Sequence, residues 1–260
     1  MILKNLIGTA AFVALMFIVS AFVYKNKTEE PHQNLSSKNN GFAILELFTS
    51  EGCSSCPPAD ALMGKIAEEY KDKPVYILSY HVDYWNHLGW KDKFSSAENS
   101  QRQQQYSRTL NSQVYTPQLV INGKKEFVGS DQDAVENAIQ NAIFSSNNIK
   151  IDLEGKVLTK EITVHYKTAE TNSQNKLLIT LVEKKSSSNV MKGENEGRHL
   201  LHWQIVHQQN QISLKNTSEG TTVFPLPQIF NPNDWEVIGL IQNTKSGEIV
   251  GSTKAIFSPS

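Results

Sequence analysis

Beyond residue 40 the chain changes its hydrophobic rhythm once. From Gly41 to about Asn147, short apolar runs alternate with stretches of helical period; from about Asn148 to Ser260, period-two and continuous apolar runs take over. Ala43 to Phe48, bounded by Asn39-Asn40-Gly41 and Thr49-Ser50-Glu51-Gly52, reads as a buried strand entering a turn. Pro57 and Pro58 suit a first helical turn, and Leu62, Ile66, Ala67 and Tyr70 share one face of the helix that follows. After the break Lys71-Asp72-Lys73-Pro74, Val75 to Tyr80 forms a second strand. A strand, helix, strand unit is parallel and right-handed, so both strands end at the same edge of the sheet. Asn99 to Asn111 predicts a helix through Arg102, Tyr106 and Leu110, and Val114 to Ile121 a strand opening at Pro117. An Asn122-Gly123 turn, a partner strand Glu126 to Val128 and a last helix from Asp131 complete this part.

In the second part, Ile149 to Leu153, Ile162 to Tyr166, Lys176 to Val182, Leu200 to Val206, Thr221 to Phe224, Trp235 to Ile241 and Ile249 to Phe257 read as strands. Such a series predicts an all-β, sandwich-like domain over 148–260 behind a mixed α/β domain over 41–147. Asn172 to Lys176, Lys184 to Gly197 and Gln208 to Gly220 read as polar connections, the second long enough to be mobile. His199 and His202, three apart on a strand, face opposite sides and are expected to be ordinary packing residues.

The front of the chain is different again. Within 1–24, Lys4 precedes an apolar run of 18 residues from Leu6 to Val23, and Val19-Ser20-Ala21 has the small residues of a signal-peptidase site. Both a cleaved signal peptide and a membrane anchor through residues 6–23 fit that length. Residues 25–40 are polar and expected to form a flexible tether into an extracytoplasmic, periplasmic or cell-surface compartment. The 260 residues carry a net charge of -1, and Lys, Arg, Asp and Glu split it into +2 over 1–40, -4 over 41–147 and +1 over 148–260. No part has the basic balance of a nucleic-acid-binding protein.

Chemistry concentrates at Glu46 to Asp60, which holds the only two cysteines, Cys53 and Cys56. At a helix N-terminus the dipole and free amides stabilise a thiolate, so Cys53 is placed to attack and Cys56 to resolve a mixed disulfide. A structural disulfide is the plain alternative, but a four-residue ring removes little unfolded-state entropy. Half a zinc site is another, and no second cysteine pair exists to complete it. By the shared strand edge, His81-Val82-Asp83-Tyr84-Trp85 and the loop to Trp90 emerge beside the cysteines. There His81 or Asp83 is a candidate proton carrier and Trp85 or Trp90 an apolar substrate contact. The other reading is a loop packed down by its own side chains.

A C-x-x-C at a helix start, a later Thr116-Pro117 opening a strand, a hairpin and a closing helix resemble the thioredoxin fold. The resemblance implies a cis Thr116–Pro117 bond lying against the cysteines and shaping a substrate groove. The segments Glu46 to Asp60, His81 to Trp85, Leu88 to Asp92, Arg102-Gln103 and Tyr115 to Gln118 further resemble an uncharacterised exported bacterial family, domain of unknown function 1223. Gly193 to His202 resembles another segment of that family, with no mechanism attached. Thioredoxins commonly place a buried acid six positions before the first cysteine; here Leu47 stands there, Glu46 faces the other side of the sheet, and Asp83 is the candidate substitute. The expected activity is thiol-disulfide exchange with protein thiols or disulfides, without a cofactor or nucleic acid. The alternatives are a copper-binding module using Cys53, Cys56 and His81, or a non-enzymatic partner-binding protein.

Overall fold

A computed structural model describes residues 41–145, 148–169 and 173–258. The expected leader (1–24), the apolar run 6–23 and the tether (25–40) lie outside the described residues, among which no helix is long and apolar enough to cross a membrane. The fold is mixed α/β, a large mixed sheet with few helices.

In chain order the elements are β1 (Ala43–Thr49), α1 (Pro57–Glu69), β2 (Val75–His81), a 3-10 turn (Asn86–Leu88), α2 (Ala97–Leu110), β3 (Gln118–Ile121), β4 (Lys125–Val128) and α3 (Gln132–Ile143). Then follow β5 (Ile151–Val157), β6 (Glu161–Thr168), β7 (Asn175–Asn189), β8 (His199–Ser213), β9 (Glu219–Pro225), β10 (Trp235–Asn243), β11 (Ile249–Lys254) and β12 (Ile256–Ser258). Side chains cap the later helices: Ser96 accepts from Asn99 N at the start of α2, and Asp131 from Ala134 N at the start of α3.

Eight strands form one sheet in the order β11-β10-β7-β8-β2-β1-β3-β4, and β12-β5-β6-β9 form a second. β1 pairs parallel with β2 and antiparallel with β3. The join between the two parts of the chain is the parallel bridge Ser79↔Ile205 between β2 and β8. The change of rhythm near residue 147 is therefore a change in the type of element, not a break in the sheet. Alternation along the strands divides the core. Ile44, Phe48, Leu78 and Tyr80 pack with Leu178, Val182, Ile238 and Leu240, so one apolar layer crosses both parts and takes Tyr106 of α2. On the opposite face, Leu45 and Leu47 pack with α1 and α3, while Ile179 and Val237 pack against the second sheet.

The two polar connections expected after Val182 and Val206 are about half strand: 184–189 prolongs β7 and 208–213 lies in β8, while 190–198 and 214–218 connect the strands. β7 and β8 pair antiparallel as far as Asn189↔His199 and Lys176↔Ser213, with one bulge between Leu181 and Val182. Their polar residues lie mostly on the half-exposed outer stretches of a hairpin, so a sequence poor in apolar side chains still forms a ladder. Likewise Val114 to Pro117 precedes β3 rather than belonging to it.

Candidate functional site

β1 delivers its C-terminal end, through Ser50 to Gly52, to the N-terminus of α1. Cys53 and Cys56 are joined there by a disulfide with Cα atoms 5.5 Å apart, and Cys56 is the N-cap of the helix. Ser54 and Ser55 are exposed, whereas Cys53 and Cys56 are 1% and 0% exposed. The Thr116–Pro117 peptide bond is cis, the conformation the resemblance led us to expect. Pro117 is buried, and the Ser55 hydroxyl donates to the Thr116 carbonyl at 3.5 Å, which ties the proline turn to the cysteine turn.

The loop after β2 turns its polar groups inward. Trp85 Nε1 donates to Thr116 Oγ1 at 2.8 Å, and Trp90 Nε1 donates to Glu51 Oε2 at 2.6 Å. His81 is fully buried with Nδ1 2.6 Å from Asp92 Oδ2, and the same oxygen accepts from Glu51 N at 2.9 Å. His81 therefore lies beneath the surface, not on a rim. Asp83, half-buried, accepts from Ser100 Oγ of α2 at 2.5 Å and sits with that helix. The loop is packed down by its own side chains, so Trp85 and Trp90 brace the proline and cysteine turns with their indole N–H groups.

Three contributors come from far along the chain. The connection between β7 and β8, Val190 to Arg198, lies over the cysteine turn. Asn195 is fully buried, and its Nδ2 donates to the carbonyls of Glu51 and Cys53, both at 2.9 Å. Glu194 Oε2 accepts from Ser54 N at 3.0 Å. The connection is itself closed by Gly197 N donating to Val190 O and by Arg198 Nη1 donating to Asn195 Oδ1, with Gly193 and Gly197 at φ of 82° and 79° supplying the turns. The stretch expected to be mobile is thus a bonded cover. From β8, His202 is 1% exposed, with Nε2 3.3 Å from Glu51 Oε1 and Nδ1 3.7 Å from Asp60 Oδ2. His199, three residues earlier, is exposed, in keeping with strand alternation.

Burial works against charge on every member of this cluster, and the partners decide the outcome. For His202, desolvation would lower the pKa, but Asp60 and Glu51 push it up to about 9, so the ring is an imidazolium at neutral pH. Burial would raise Glu51, yet His202 and Trp90 hold it below its ordinary value. Asp92 is likewise held low, burial being outweighed by His81 and by the amides of Glu51 and Phe94. Among the described residues no group of three or more His, Cys, Asp or Glu side chains is arranged to hold a metal ion.

Asp60, Asn195 and His202 escaped the sequence reading of the site. Asp60 carried a signal only as an acid in the first helical turn, and the other two lie some 140 residues from their partners.

A mixed α/β protein with a covered disulfide at a helix N-terminus beside a cis-proline turn is the class that this geometry defines. The chain belongs to the family described as protein of unknown function (DUF1223), whose model matches residues 44–242. It is similar over 84% of its length to a crystal structure of an Agrobacterium tumefaciens protein, 95% of which is covered, at 27% identity and a TM-score of 0.64. A domain of the outer membrane lipoprotein Omp28 from Porphyromonas gingivalis matches 45% of this chain and is itself 93% covered, at 12% identity and a TM-score of only 0.28. A search of curated proteins finds no match.

Proposed function

We propose that the chain is an extracytoplasmic thiol-disulfide oxidoreductase whose first part is thioredoxin-like, exchanging the Cys53–Cys56 disulfide with protein thiols. The observation that carries the reading is the disulfide at the start of α1 with the cis Thr116–Pro117 turn hydrogen-bonded beside it. In the oxidising direction, a substrate thiolate attacks Cys53 Sγ, the Cys53–Cys56 bond breaks, and Cys56 leaves as a thiolate stabilised by the helix N-terminus. A second substrate thiolate then attacks the substrate sulfur of the mixed disulfide, Cys53 leaves, and two electrons have passed from substrate to protein. Run backwards, the same steps reduce a substrate disulfide.

Because Cys53 and Cys56 are buried, exchange requires local opening at the cysteine turn, to which the Val190 to Arg198 segment is bonded. Its polar ties to the turn are the Asn195 and Glu194 hydrogen bonds, each of which water can replace on opening. The reading is tested by equilibrating the protein in metal-free glutathione buffers and quantifying free thiols. A reversible two-electron transition in the wild type, and loss of catalysed thiol exchange with a protein substrate in Cys53→Ser, are expected. A disulfide that never cycles would end the proposal.

A further inference from the structure

The cover and the proline turn account for what lies outside the disulfide; what lies behind it has no part in the exchange steps above. Of the described buried side-chain polar atoms without an aligned hydrogen bond, Glu51 Oε1, His81 Nε2 and both ring nitrogens of His202 fall in this one cluster. Such groups are rare in folded proteins and concentrate where charge or protons are put to use. His202 touches the cysteine segment at both ends. Glu51 lies two residues before Cys53, and Asp60 lies one helical turn after Cys56, on the same helix face, where Cβ atoms are about 5–6 Å apart.

We propose that His202 is a positioning residue for the cysteine pair, fixing the two ends of the Glu51 to Asp60 segment and setting the charge behind the sulfurs. The proposal rests on the exchange reading of the site. The groups that face the ring are Glu51 from the cysteine turn, Asp60 from α1, and from β2 His81, whose ring lies 4.9 Å away with Asp92 on its far side. Phe94 lies edge-on to the ring at 5.5 Å and His202 is buried, so water screens these charges little. With the imidazole protonated, one cation stands between the Glu51 and Asp60 carboxylates, with the Asp92 carboxylate beyond His81. Removing the cation leaves the cluster more negative against any thiolate formed on reduction; removing Asp60 leaves it one negative charge less. The two substitutions therefore act in opposite directions, which a merely structural role would not produce.

The test is the reduction potential of the full chain between pH 6 and 10, for the wild type, His202→Gln and Asp60→Asn. At pH 7, His202→Gln is expected to lower the reduction equilibrium constant about tenfold, about 30 mV more negative. Asp60→Asn is expected to move it the other way by a few-fold. The wild-type potential falls more steeply with pH near 9, where the ring loses its proton, and His202→Gln lacks that steepening. If His202→Gln does not fold, Asp60→Asn alone decides, because a negative shift or none overturns the proposal. Unchanged potentials in both variants overturn it as well. A wild-type disulfide that fails to cycle at any pH removes the exchange reading itself and the proposal with it, and that outcome is visible before any variant is made.

Discussion

Two buried ionic clusters join the first part of the chain to the second, and they are built differently. In one, Arg102 of α2 donates through Nε to Glu46 Oε1 at 2.6 Å, through Nη2 to the Tyr106 hydroxyl at 3.1 Å, and through Nη1 to Gln242 of β10 at 3.4 Å. The Tyr106 hydroxyl donates to Glu46, and Gln242 Nε2 donates to the Tyr106 oxygen at 2.9 Å. In the other, His202 of β8 stands between Glu51 and Asp60 in ion-pair contact without aligned hydrogen bonds. The first lies away from the cysteines with its partners satisfied, and the second lies behind them with atoms unpaired. A complete network fixes the fold; an incomplete one beside a reactive bond leaves charge free to respond to it.

The largest effect expected is on stability. Arg102→Leu strips the guanidinium from a buried carboxylate and should cost about 3–5 kcal/mol in urea unfolding, since breaking one side of a buried pair leaves an uncompensated charge. The potential of the disulfide in the folded fraction should stay at the wild-type value. A shift as large as that of His202→Gln would mean that the two clusters do the same work.

The next effect is on pH. The His202 imidazolium is raised from 6.5 to about 9 in the folded chain, so its contribution is fully present below pH 6.5 and is lost as pH rises through about 9. That amounts to roughly 3 kcal/mol of stability. Arg102, held protonated by Glu46 against the cost of burial, keeps its charge throughout and contributes no such slope. Urea midpoints at pH 6.5 and 9.5 should differ in the wild type and in Arg102→Leu, and far less in His202→Gln. A fall of equal size in all three would place the titrating group elsewhere.

How much of this the sequence discloses depends on sequence distance. β1, α1 and β2 fall within a residue or two of their expected bounds because local rhythm and the Pro57-Pro58 start define them. Glu46 was expected on the face opposite Leu47, and it is there, meeting Arg102. The cover and the cluster were not legible. Lys184 to Gly197 is polar because β7 emerges from the core beyond Val182, and polarity at an exposed strand end looks the same as polarity in a loop. The histidine nearest to His202 in sequence is His199, whereas its partners Glu51 and Asp60 lie across a strand pairing that no local pattern encodes.

The cover sharpens the same contrast at a smaller scale. Asn195→Ala removes the two hydrogen bonds that its Nδ2 donates to the carbonyls of Glu51 and Cys53, at roughly 1 kcal/mol per hydrogen bond. Reduction by dithiothreitol should accelerate about thirtyfold as the cover opens more often, because about 2 kcal/mol is lost and about 1.4 kcal/mol is a factor of ten. The potential should move less than the rate, since opening exposes the sulfurs whether oxidised or reduced. An unchanged rate would mean that the cover does not control access.

The smallest effect expected is at Glu194. Its carboxylate accepts from the Ser54 amide on the exposed side of the turn, and that contact holds it below its ordinary pKa. Solvent screens it, so Glu194→Gln, which keeps an acceptor oxygen but removes the charge, should speed reduction by less than about threefold at 0.15 M salt. The same variant tells charge from cover. A small thiol that carries negative charge, such as glutathione, should gain more from the substitution than neutral dithiothreitol does, because Glu194 repels an anion arriving at Ser54. Equal gains with both reductants would leave Glu194 only the hydrogen bond to Ser54. A larger gain with glutathione that fades at high salt would make Glu194 a charge at the mouth of the site, in contrast to His202, whose charge behind the sulfurs salt does not reach.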